Sequence, residues 1–176
     1  MIFRETRLKG SFIIEYERMS DERGFFARTF CQDEFEDRGL DTTIKQCNTS
    51  FNKTRGTLRG MHYQAAPKDE AKLVRCTRGK IYDVIIDLRA DSDSYCKWAA
   101  FELDADNGLM LYIPKGFAHG FQTLEDSSEV FYQMSESYSA DHARGVRWND
   151  AAFGVEWPHE KPVMSERDRS FEDYRP

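Results

Sequence analysis

Long apolar runs and an excess of basic residues are both missing from this sequence. No stretch approaches the roughly 18 consecutive apolar residues that a membrane-spanning helix requires. The 176 residues include 25 Lys and Arg against 31 Asp and Glu, which gives a formal net charge of −6. A negative net charge argues against nucleic acid or an anionic membrane surface as the main partner. We therefore expect no nucleic-acid partner and no membrane partner.

Cysteine is scarce, and its spacing shows no metal or disulfide signature. There are four cysteines and no CxxC pair, and the charged start MIFRETRLKG lacks the apolar stretch of a signal peptide. Without a secretion signal, thiols are expected to stay reduced. We expect a cytoplasmic location and no nucleophilic role for the four residues, which are Cys31, Cys47, Cys76 and Cys96.

Helical periodicity is also sparse, and Gln32–Arg38, followed by Gly39, is the best helix candidate. Short apolar runs between turn-forming clusters predict β-strands instead, and such a series favours a sandwich or barrel over a βαβ sheet. The length suits a single domain, residues 1–176, with a core of its own. The predicted strands are Phe12–Tyr16, Lys45–Phe51, Thr57–Gln64, Lys72–Thr77, Lys80–Arg89, Trp98–Leu103, Met110–Ile113, Gly120–Leu124 and Glu129–Met134.

Two histidine-containing segments, Gly56–Gln64 and Pro114–Phe121, resemble the paired motifs of cupin barrels. In the first segment, five residues separate Gly56 from His62, but Gln64 stands where the motif has its second histidine. A transition metal in such a site needs about four nitrogen or oxygen ligands. We therefore expect a metal-free barrel whose histidines are available for proton transfer. The second motif is matched by Gly108, Pro114, Gly116 and His119.

The strand Thr57–Gln64 raises a question of side-chain direction. Simple alternation places Arg59 and His62 on opposite faces of the strand, unless a bulge near Gly60 redirects it. Without a bulge, Arg59 would form a surface ion pair and His62 would be hydrogen-bonded in the core. Further polar residues on predicted strands or strand ends near one another weaken this structural interpretation; they are His119, Lys72, Tyr132 and Tyr138. A lysine inside the apolar AKLVRC segment is also costly to bury without a partner or a task.

Taken together, the motifs of this chain resemble those of the dTDP-4-dehydrorhamnose 3,5-epimerases and related nucleotide-sugar epimerases. The resemblance covers nearly the whole chain, and the matching motifs occur in the same order as in the family. The combination of motifs makes the resemblance specific, whereas no single motif would. The matching segments are DERGFF at Asp21–Phe26, QCNTS at Gln46–Ser50, TLRGMHYQ at Thr57–Gln64, KLVRCTRGKIYDVIIDLRADS at Lys72–Ser92, IPKGFAHGF at Ile113–Phe121, EVFYQ at Glu129–Gln133, SYS at Ser137–Ser139, GVRWND at Gly145–Asp150 and SERD at Ser165–Asp168.

The resemblance implies an all-β, metal-free, cupin-like jelly roll (a double-stranded β-helix) and a homodimer that shares strands across its interface. It implies a reaction without a cofactor on a nucleoside-diphosphate 4-keto-6-deoxyhexose. The 4-keto group acidifies the C–H bonds at C3 and C5. A base removes a proton to give an enolate, and an acid returns a proton to the opposite face.

The resemblance also assigns roles to individual residues. His62 matches the base, and Asp168 matches the carboxylate that fixes its tautomer. Lys72 matches the cation beside the developing oxyanion, and Tyr132 matches the acid for the opposite face. Residues matched to substrate binding are Arg23, Phe25, Gln46, Asn48, Arg59, His119, Tyr138 and Arg167. In this set, Arg23 and Arg59 match the pyrophosphate-binding arginines, and Tyr138 matches the aromatic ring that stacks on the base.

Two positions depart from the family's pattern on its nucleotide-binding side. Arg28 follows Ala27 where the family has a glutamate, and Ala143 replaces a second glutamate. These departures leave two interpretations, a variant that still uses dTDP and a pocket for another base or another sugar. C3-only epimerisation, a non-catalytic sugar-nucleotide-binding cupin and a metal-dependent oxygenase are the alternatives to 3,5-epimerisation.

Overall fold

The computed structural model describes residues 1–175, whose strands form two large antiparallel sheets and one separate hairpin. The six-stranded sheet has the order β1 (Ile2–Glu5), β2 (Phe12–Glu15), β10 (Leu109–Ile113), β7 (Lys72–Arg78), β12 (Ser128–Met134) and β5 (Gln46–Asn52). The five-stranded sheet has the order β13 (Ala143–Gly145), β6 (Leu58–Gln64), β11 (Phe117–Thr123), β8 (Lys80–Asp87) and β9 (Trp98–Asp104). The hairpin consists of β3 (Arg18–Asp21) and β4 (Gly24–Ala27), and the helices are α1 (Gln32–Glu36) and α2 (Glu166–Arg169).

The two sheets face each other across a shared apolar core. Side chains from both sheets, including Val74, Ile85 and Phe121, belong to one buried cluster between them. A second cluster lies on the outer face of the six-stranded sheet, where α1 places Phe35 against Tyr112. This arrangement confirms the predicted all-β jelly roll.

Every predicted strand is present, most with ends within one residue of the expected position. The sequence did not reveal β1, β3, β4 and β13, which have three or four residues each and are mostly exposed. Strands this short and polar show too little alternation for periodicity to detect. The predicted helix Gln32–Arg38 is present but ends two residues earlier, at Glu36.

Strand β8 alternates between an outer and an inner face, and its inner face carries two carboxylates. Val84 and Ile86 point to an outer cluster, whereas Ile85 points into the core between the sheets. Asp83 and Asp87 share that inner face and are fully buried. Because a buried carboxylate needs partners, Asp87 accepts hydrogen bonds from Arg89, Ser92 and Ser94. Burial alone would raise the pKa of Asp87, but these donors lower it to about 2.

Strand β6 contains the bulge on which the direction of Arg59 and His62 depends. Phe121 lies opposite Arg59 and His119 lies opposite His62, so β6 has one residue more than β11 between these pairs. Gly60 occupies the irregular position with a φ of +140°, and a Cβ atom there would lie 2.6 Å from the Cα of Gly120. Only glycine fits this close approach. The bulge therefore lets both Arg59 and His62 line one cavity.

Among residues 1–175, no helix has the length and apolar character needed to cross a membrane. The segment after Trp157 is largely irregular and contains α2. Its last residue, Pro176, lies outside the described residues. Residues 163–174 of this segment contact β6, β13 and the loops beside them.

Candidate active site

A cavity of about 440 Å³ opens between the inner faces of the two sheets. His62 and Arg59 reach it from β6 in the five-stranded sheet, and Lys72 and Tyr132 reach it from β7 and β12 in the six-stranded sheet. Polar side chains therefore converge on one space from two opposed sheets. The structure brings together the three residues predicted as base, oxyanion partner and acid.

His62 and Asp168 form the first of two histidine–carboxylate pairs. The Nε2 atom of His62 lies 2.8 Å from Oδ1 of Asp168, and Oδ2 accepts the backbone N–H of Gly60 at 3.2 Å. The carboxylate is nearly buried, but 40% of the His62 side chain is exposed. Burial would raise the pKa of Asp168, yet the hydrogen bonds from His62 and Gly60 lower it below its ordinary value. An ionised Asp168 holds a proton on Nε2 and leaves Nδ1 of neutral His62 free to accept one.

The C-terminal segment delivers Asp168 to a histidine 106 residues away in sequence. Ser165 caps α2 by accepting the backbone N–H of Asp168 at 3.1 Å. Beyond the helix, the ring of Phe171 packs edge-on against His62, with 6.0 Å between centroids. Phe171 also covers Gly145, where a Cβ atom would lie within 2.3 Å of ring carbon Cε2. The segment thus orients the imidazole through both its carboxylate and its aromatic ring.

Lys72 begins β7 and is paired with a carboxylate that sequence reasoning missed. Its Nζ atom lies 2.9 Å from Oε1 of Glu70, and both side chains are less than 10% exposed. The other carboxylate oxygen accepts the backbone N–H of Gln64 at 3.2 Å. The only available signal was the position of Glu70 two residues before a lysine in an apolar segment. Glu70 supplies the partner that burial of Lys72 requires.

Tyr132 faces the same cavity from β12 and is partly buried. Burial raises the pKa of Tyr132 above its ordinary value near 10, and the carboxylate of Glu70 acts in the same direction against the opposing charge of Arg59. The phenol is therefore protonated at neutral pH and can donate a proton to a ligand.

His119 forms the second histidine–carboxylate pair, deeper in the barrel. Its Nε2 atom lies 2.9 and 3.1 Å from the two oxygens of Asp83. Only 10% of the His119 side chain is exposed, and Asp83 is fully buried. Asp83, on the inner face of β8, carried no functional assignment in the sequence analysis.

The predicted binding residues fall into three groups. Gln46, Arg59, His119, Tyr138 and Arg167 line the cavity. Asn48 lies beside them, since its amide accepts a hydrogen bond from Gln46 at 2.9 Å. Arg23 and Phe25 lie on the exposed hairpin, apart from the cavity-lining residues of the same chain, and Arg23 is bound to Asp21.

Arg59 is positioned by a neighbour that the sequence did not single out. Its Nε–H donates to Oδ1 of Asn52 at 2.7 Å, and Asn52 is anchored in turn to the carbonyl groups of Ser50 and Ser128. This contact fixes the Nε end of the Arg59 guanidinium and leaves the N–H groups of Nη1 and Nη2 for a ligand. A planar guanidinium suits bidentate recognition of phosphate.

The two departures from the expected pattern lie in different places. Ala143 lines the cavity next to Arg144, so the missing carboxylate makes this part of the wall more positive. Arg28 is largely exposed and lies 3.4 Å from Glu34 of α1. Within residues 1–175, no group of three or more potential metal-ligating side chains was found.

Comparison with known proteins identifies relatives of this chain. The model of the dTDP-4-dehydrorhamnose 3,5-epimerase family matches residues 5–175. The dTDP-4-dehydrorhamnose 3,5-epimerase of Methanothermobacter thermautotrophicus is 42% identical over 176 residues, with 98% of this chain and 94% of the relative covered. The chain also resembles the crystal structure of the Bacillus anthracis dTDP-4-dehydrorhamnose 3,5-epimerase with TDP and PPi bound, with a TM-score of 0.95, 40% identity and coverage of 98% and 99%.

A further structural relative is a 3′-monoepimerase from Streptomyces bikiniensis in complex with dTDP-quinovose. It is 28% identical, has a TM-score of 0.89, and the alignment covers 96% of this chain and 85% of that chain. Its fold is thus shared by epimerases that differ in the number of centres they invert. The family-model match over nearly the whole length, together with the relative at 42% identity, shows that this chain belongs to the dTDP-4-dehydrorhamnose 3,5-epimerase family.

Proposed function

We propose that this protein is a cofactor-independent epimerase that inverts C3 and C5 of dTDP-4-dehydro-6-deoxyglucose. The observation that carries this proposal is the placement of a base and an acid on opposed sheets around one cavity. His62, paired with Asp168, faces the cavity from one sheet, and Tyr132 faces it from the other. A proton removed from one side of a sugar can therefore be replaced from the other side.

Proton abstraction begins at His62. The 4-keto group makes the C–H bonds at C3 and C5 acidic, and Nδ1 of His62 accepts the proton while Asp168 stabilises the resulting imidazolium. The electron pair of the broken C–H bond moves into the ring and places negative charge on the 4-oxygen. The ammonium of Lys72 donates a hydrogen bond to that oxygen. A preorganised donor of this kind is typically worth about 2.7–4 kcal/mol of transition-state stabilisation.

Reprotonation completes the inversion. Tyr132 gives its phenolic proton to the carbanion carbon from the other sheet's side, and the 4-keto group reforms. At the end of one inversion His62 has gained a proton and Tyr132 has lost one, so exchange with solvent restores both groups. The reaction moves protons only and is redox-neutral, which is why we propose that it needs neither a cofactor nor a metal.

Cationic side chains support the binding of a nucleoside diphosphate sugar. Arg59 and Arg167 line the cavity, as does Tyr138, whose exposed ring is available to stack on a base. Structures of relatives contain TDP with PPi, and dTDP-quinovose. We therefore propose dTDP as the nucleotide, with Arg59 and Arg167 at the pyrophosphate and Tyr138 at the thymine.

We also propose that the active unit is a homodimer, because the hairpin β3–β4 carries predicted binding residues away from its own cavity. Phe25 and Phe26 of this hairpin are 54% and 66% exposed. Exposed aromatic side chains on a protruding hairpin are typical of an interface. In a dimer, the hairpin of one protomer can bring Arg23 and Phe25 to the edge strand β5, which lines the cavity of its partner.

Light scattering of the wild type and of Phe25→Asp tests this proposal. The wild type should have the mass of a dimer, and a wild-type monomer would contradict it.

The cytoplasm is the proposed location, since all four cysteines are free thiols in the described residues. Reduced thiols are expected in a reducing compartment.

Proton NMR in D₂O with dTDP-4-dehydro-6-deoxyglucose tests the proposed reaction. Deuterium should enter at both C3 and C5. Entry at C3 alone would make the protein a 3-epimerase, the second candidate, which the relative from Streptomyces bikiniensis favours. Binding of dTDP without any exchange would support a non-catalytic sugar-nucleotide-binding protein instead.

A further inference from the structure

Glu70, which forms a buried ion pair with Lys72, is a member of the site to which no role in the reaction has been assigned. The Glu70 side chain is only 4% exposed, and its two carboxylate oxygens have different partners. Oε1 contacts the Lys72 ammonium at 2.9 Å, and Oε2 accepts the backbone N–H of Gln64 at 3.2 Å. The carboxylate is therefore fixed in orientation by the β6 backbone.

Gln64 itself is immobilised by the loops around it. Its amide nitrogen donates to the carbonyl oxygens of Lys68 and Ser137 at 2.7 and 3.3 Å, and its amide oxygen accepts the backbone N–H of Ser139 at 2.6 Å. Gln64 thus ties the end of β6 to the loop that carries Glu70. An anchored carboxylate in turn holds the ammonium in one place.

The charge balance of the cavity makes Glu70 distinctive. Among the described residues that line the cavity, Glu70 is the one carboxylate, whereas Arg59, Arg144, Arg167 and Lys72 are all cationic. Several like charges in a confined space destabilise one another's charged forms, and lysine is the member that can lose its proton. A carboxylate in direct contact with Lys72 opposes this loss.

We propose that Glu70 is a positioning residue for the epimerisation, whose carboxylate keeps the Lys72 ammonium charged and directed at the 4-oxygen of the substrate. This inference rests on the proposed function of the site. An ammonium has three N–H donors. The contact with Glu70 occupies one and leaves two for the oxyanion that develops in the enolate. Glu70 does not touch the substrate in this account and acts on the oxyanion through Lys72.

Other ionisable groups also face Lys72, and their titration must be separated from its own. Arg59 and His62 reach the cavity from β6, His119 with its partner Asp83 from β11 and β8, and Tyr132 from β12. His62 acts as a neutral base, whereas Lys72 and Tyr132 act in their protonated forms, so these two belong to the alkaline side of the rate profile.

The test is the pH profile of kcat in Glu70→Gln, which keeps the shape of the side chain and removes its charge. We expect kcat near pH 8 to fall about 10- to 100-fold, the range expected for a lost hydrogen bond to a charged group, with KM within about threefold of wild type. The alkaline limb should move to lower pH, because Lys72 has lost its counter-charge and Tyr132 has lost a nearby carboxylate that raises its pKa. The lysine titration described below separates these two contributions. Glu70→Asp, which keeps the charge, should recover part of the rate and the wild-type position of the limb.

Glu102→Gln is the matched control, since Glu102 pairs with Lys80 on the surface. It should leave the profile unchanged. If Glu70→Gln lowers the rate equally at every pH, with an unmoved alkaline limb, Glu70 has only a structural role and the proposal is overturned.

NMR titration of the lysine side chains tests the same proposal without turnover. The Lys72 signal, identified by its absence in Lys72→Met, should lose its proton at a lower pH in Glu70→Gln than in wild type. Identical titrations would refute the role of Glu70. Absence of epimerisation by the wild type would instead contradict the proposed function, while this titration would still decide whether Glu70 keeps Lys72 charged.

Discussion

The two histidine–carboxylate pairs of the cavity have nearly the same contact but differ in their surroundings. In each pair, Nε2 of the histidine lies 2.8–2.9 Å from a carboxylate oxygen. The His62 side chain is 40% exposed, and its partner comes from the C-terminal segment. The His119 side chain is 10% exposed, and its partner lies in the barrel wall on β8.

This difference in exposure indicates that the two histidine–carboxylate pairs have different roles. A base must reach the substrate and later exchange its proton with solvent, and His62 has the access that both steps require. His119 is confined between strands, with Asp83 accepting through both oxygens, so its Nδ1 suits a fixed hydrogen-bonding contact with a bound ligand. The contact with a carboxylate therefore does not by itself identify a catalytic base, and the two pairs are distinguished by the solvent exposure of the histidine.

The largest expected effect is the difference in kcat between two variants in which one or the other histidine is replaced by glutamine. His62→Gln and His119→Gln both retain a side-chain N–H for the carboxylate and remove the basic nitrogen. We expect kcat to fall about 10⁴-fold in His62→Gln, at the upper end of general base effects, with dTDP affinity unchanged. In His119→Gln, kcat should stay within about tenfold, and KM should rise. Steady-state kinetics and calorimetry check both, and equal losses of kcat would remove the distinction.

A smaller loss of kcat is expected when the carboxylate of each pair is replaced by an amide. In Asp168→Asn, the amide can donate to Nε2 and so favour the tautomer with its proton on Nδ1, which cannot accept a proton from the substrate. We expect kcat to fall about 100-fold. Asp83→Asn should change kcat by less than about tenfold, because His119 is not the base. A larger loss of kcat in Asp83→Asn than in Asp168→Asn would contradict the distinction between the two pairs.

The smallest effect concerns stability at acidic pH. Hydrogen bonds from His62 and Gly60 hold the pKa of Asp168 below its ordinary value, against the effect of burial. A carboxyl group with a lowered pKa stabilises the fold above the unfolded value, near 4, and this contribution is lost as the pH falls through the folded value. Wild type should therefore exceed Asp168→Asn in unfolding free energy by of order 1 kcal/mol at pH 6.

Urea unfolding at a fixed protein concentration, at pH 6 and at pH 3, measures this difference. The gap between the two proteins should narrow at pH 3. A gap of the same size at both pH values would show that the ionised carboxylate does not stabilise the fold.

The sequence predicted most of the strands, because apolar runs and turn-forming clusters are local properties, whereas the roles of the site residues came from the family resemblance. The sequence left the direction of Arg59 and His62 open, since a bulge at Gly60 depends on the close approach of Gly120 from another strand. Glu70 was missed for a related reason. Nothing in the local pattern shows that its carboxylate turns inward to meet Lys72.

The position of the β3–β4 hairpin was equally inaccessible to sequence reasoning. The motif at Asp21–Phe26 was recognised, but exposure of Arg23 and Phe25 away from their own cavity follows from tertiary structure. Asp168 was assigned through resemblance alone, because a contact across 106 residues has no local signature.

The most direct test of the two-sided mechanism is solvent exchange by Tyr132→Phe. This substitution removes the phenolic proton and leaves the base, His62, and the oxyanion partner, Lys72, in place. Proton NMR in D₂O with dTDP-4-dehydro-6-deoxyglucose should show deuterium entering at C3 or C5 with the original configuration retained, because His62 returns a solvent-derived proton to the face from which it took one. Inversion at the wild-type rate would contradict the account, since the acid on the opposite sheet would then be dispensable.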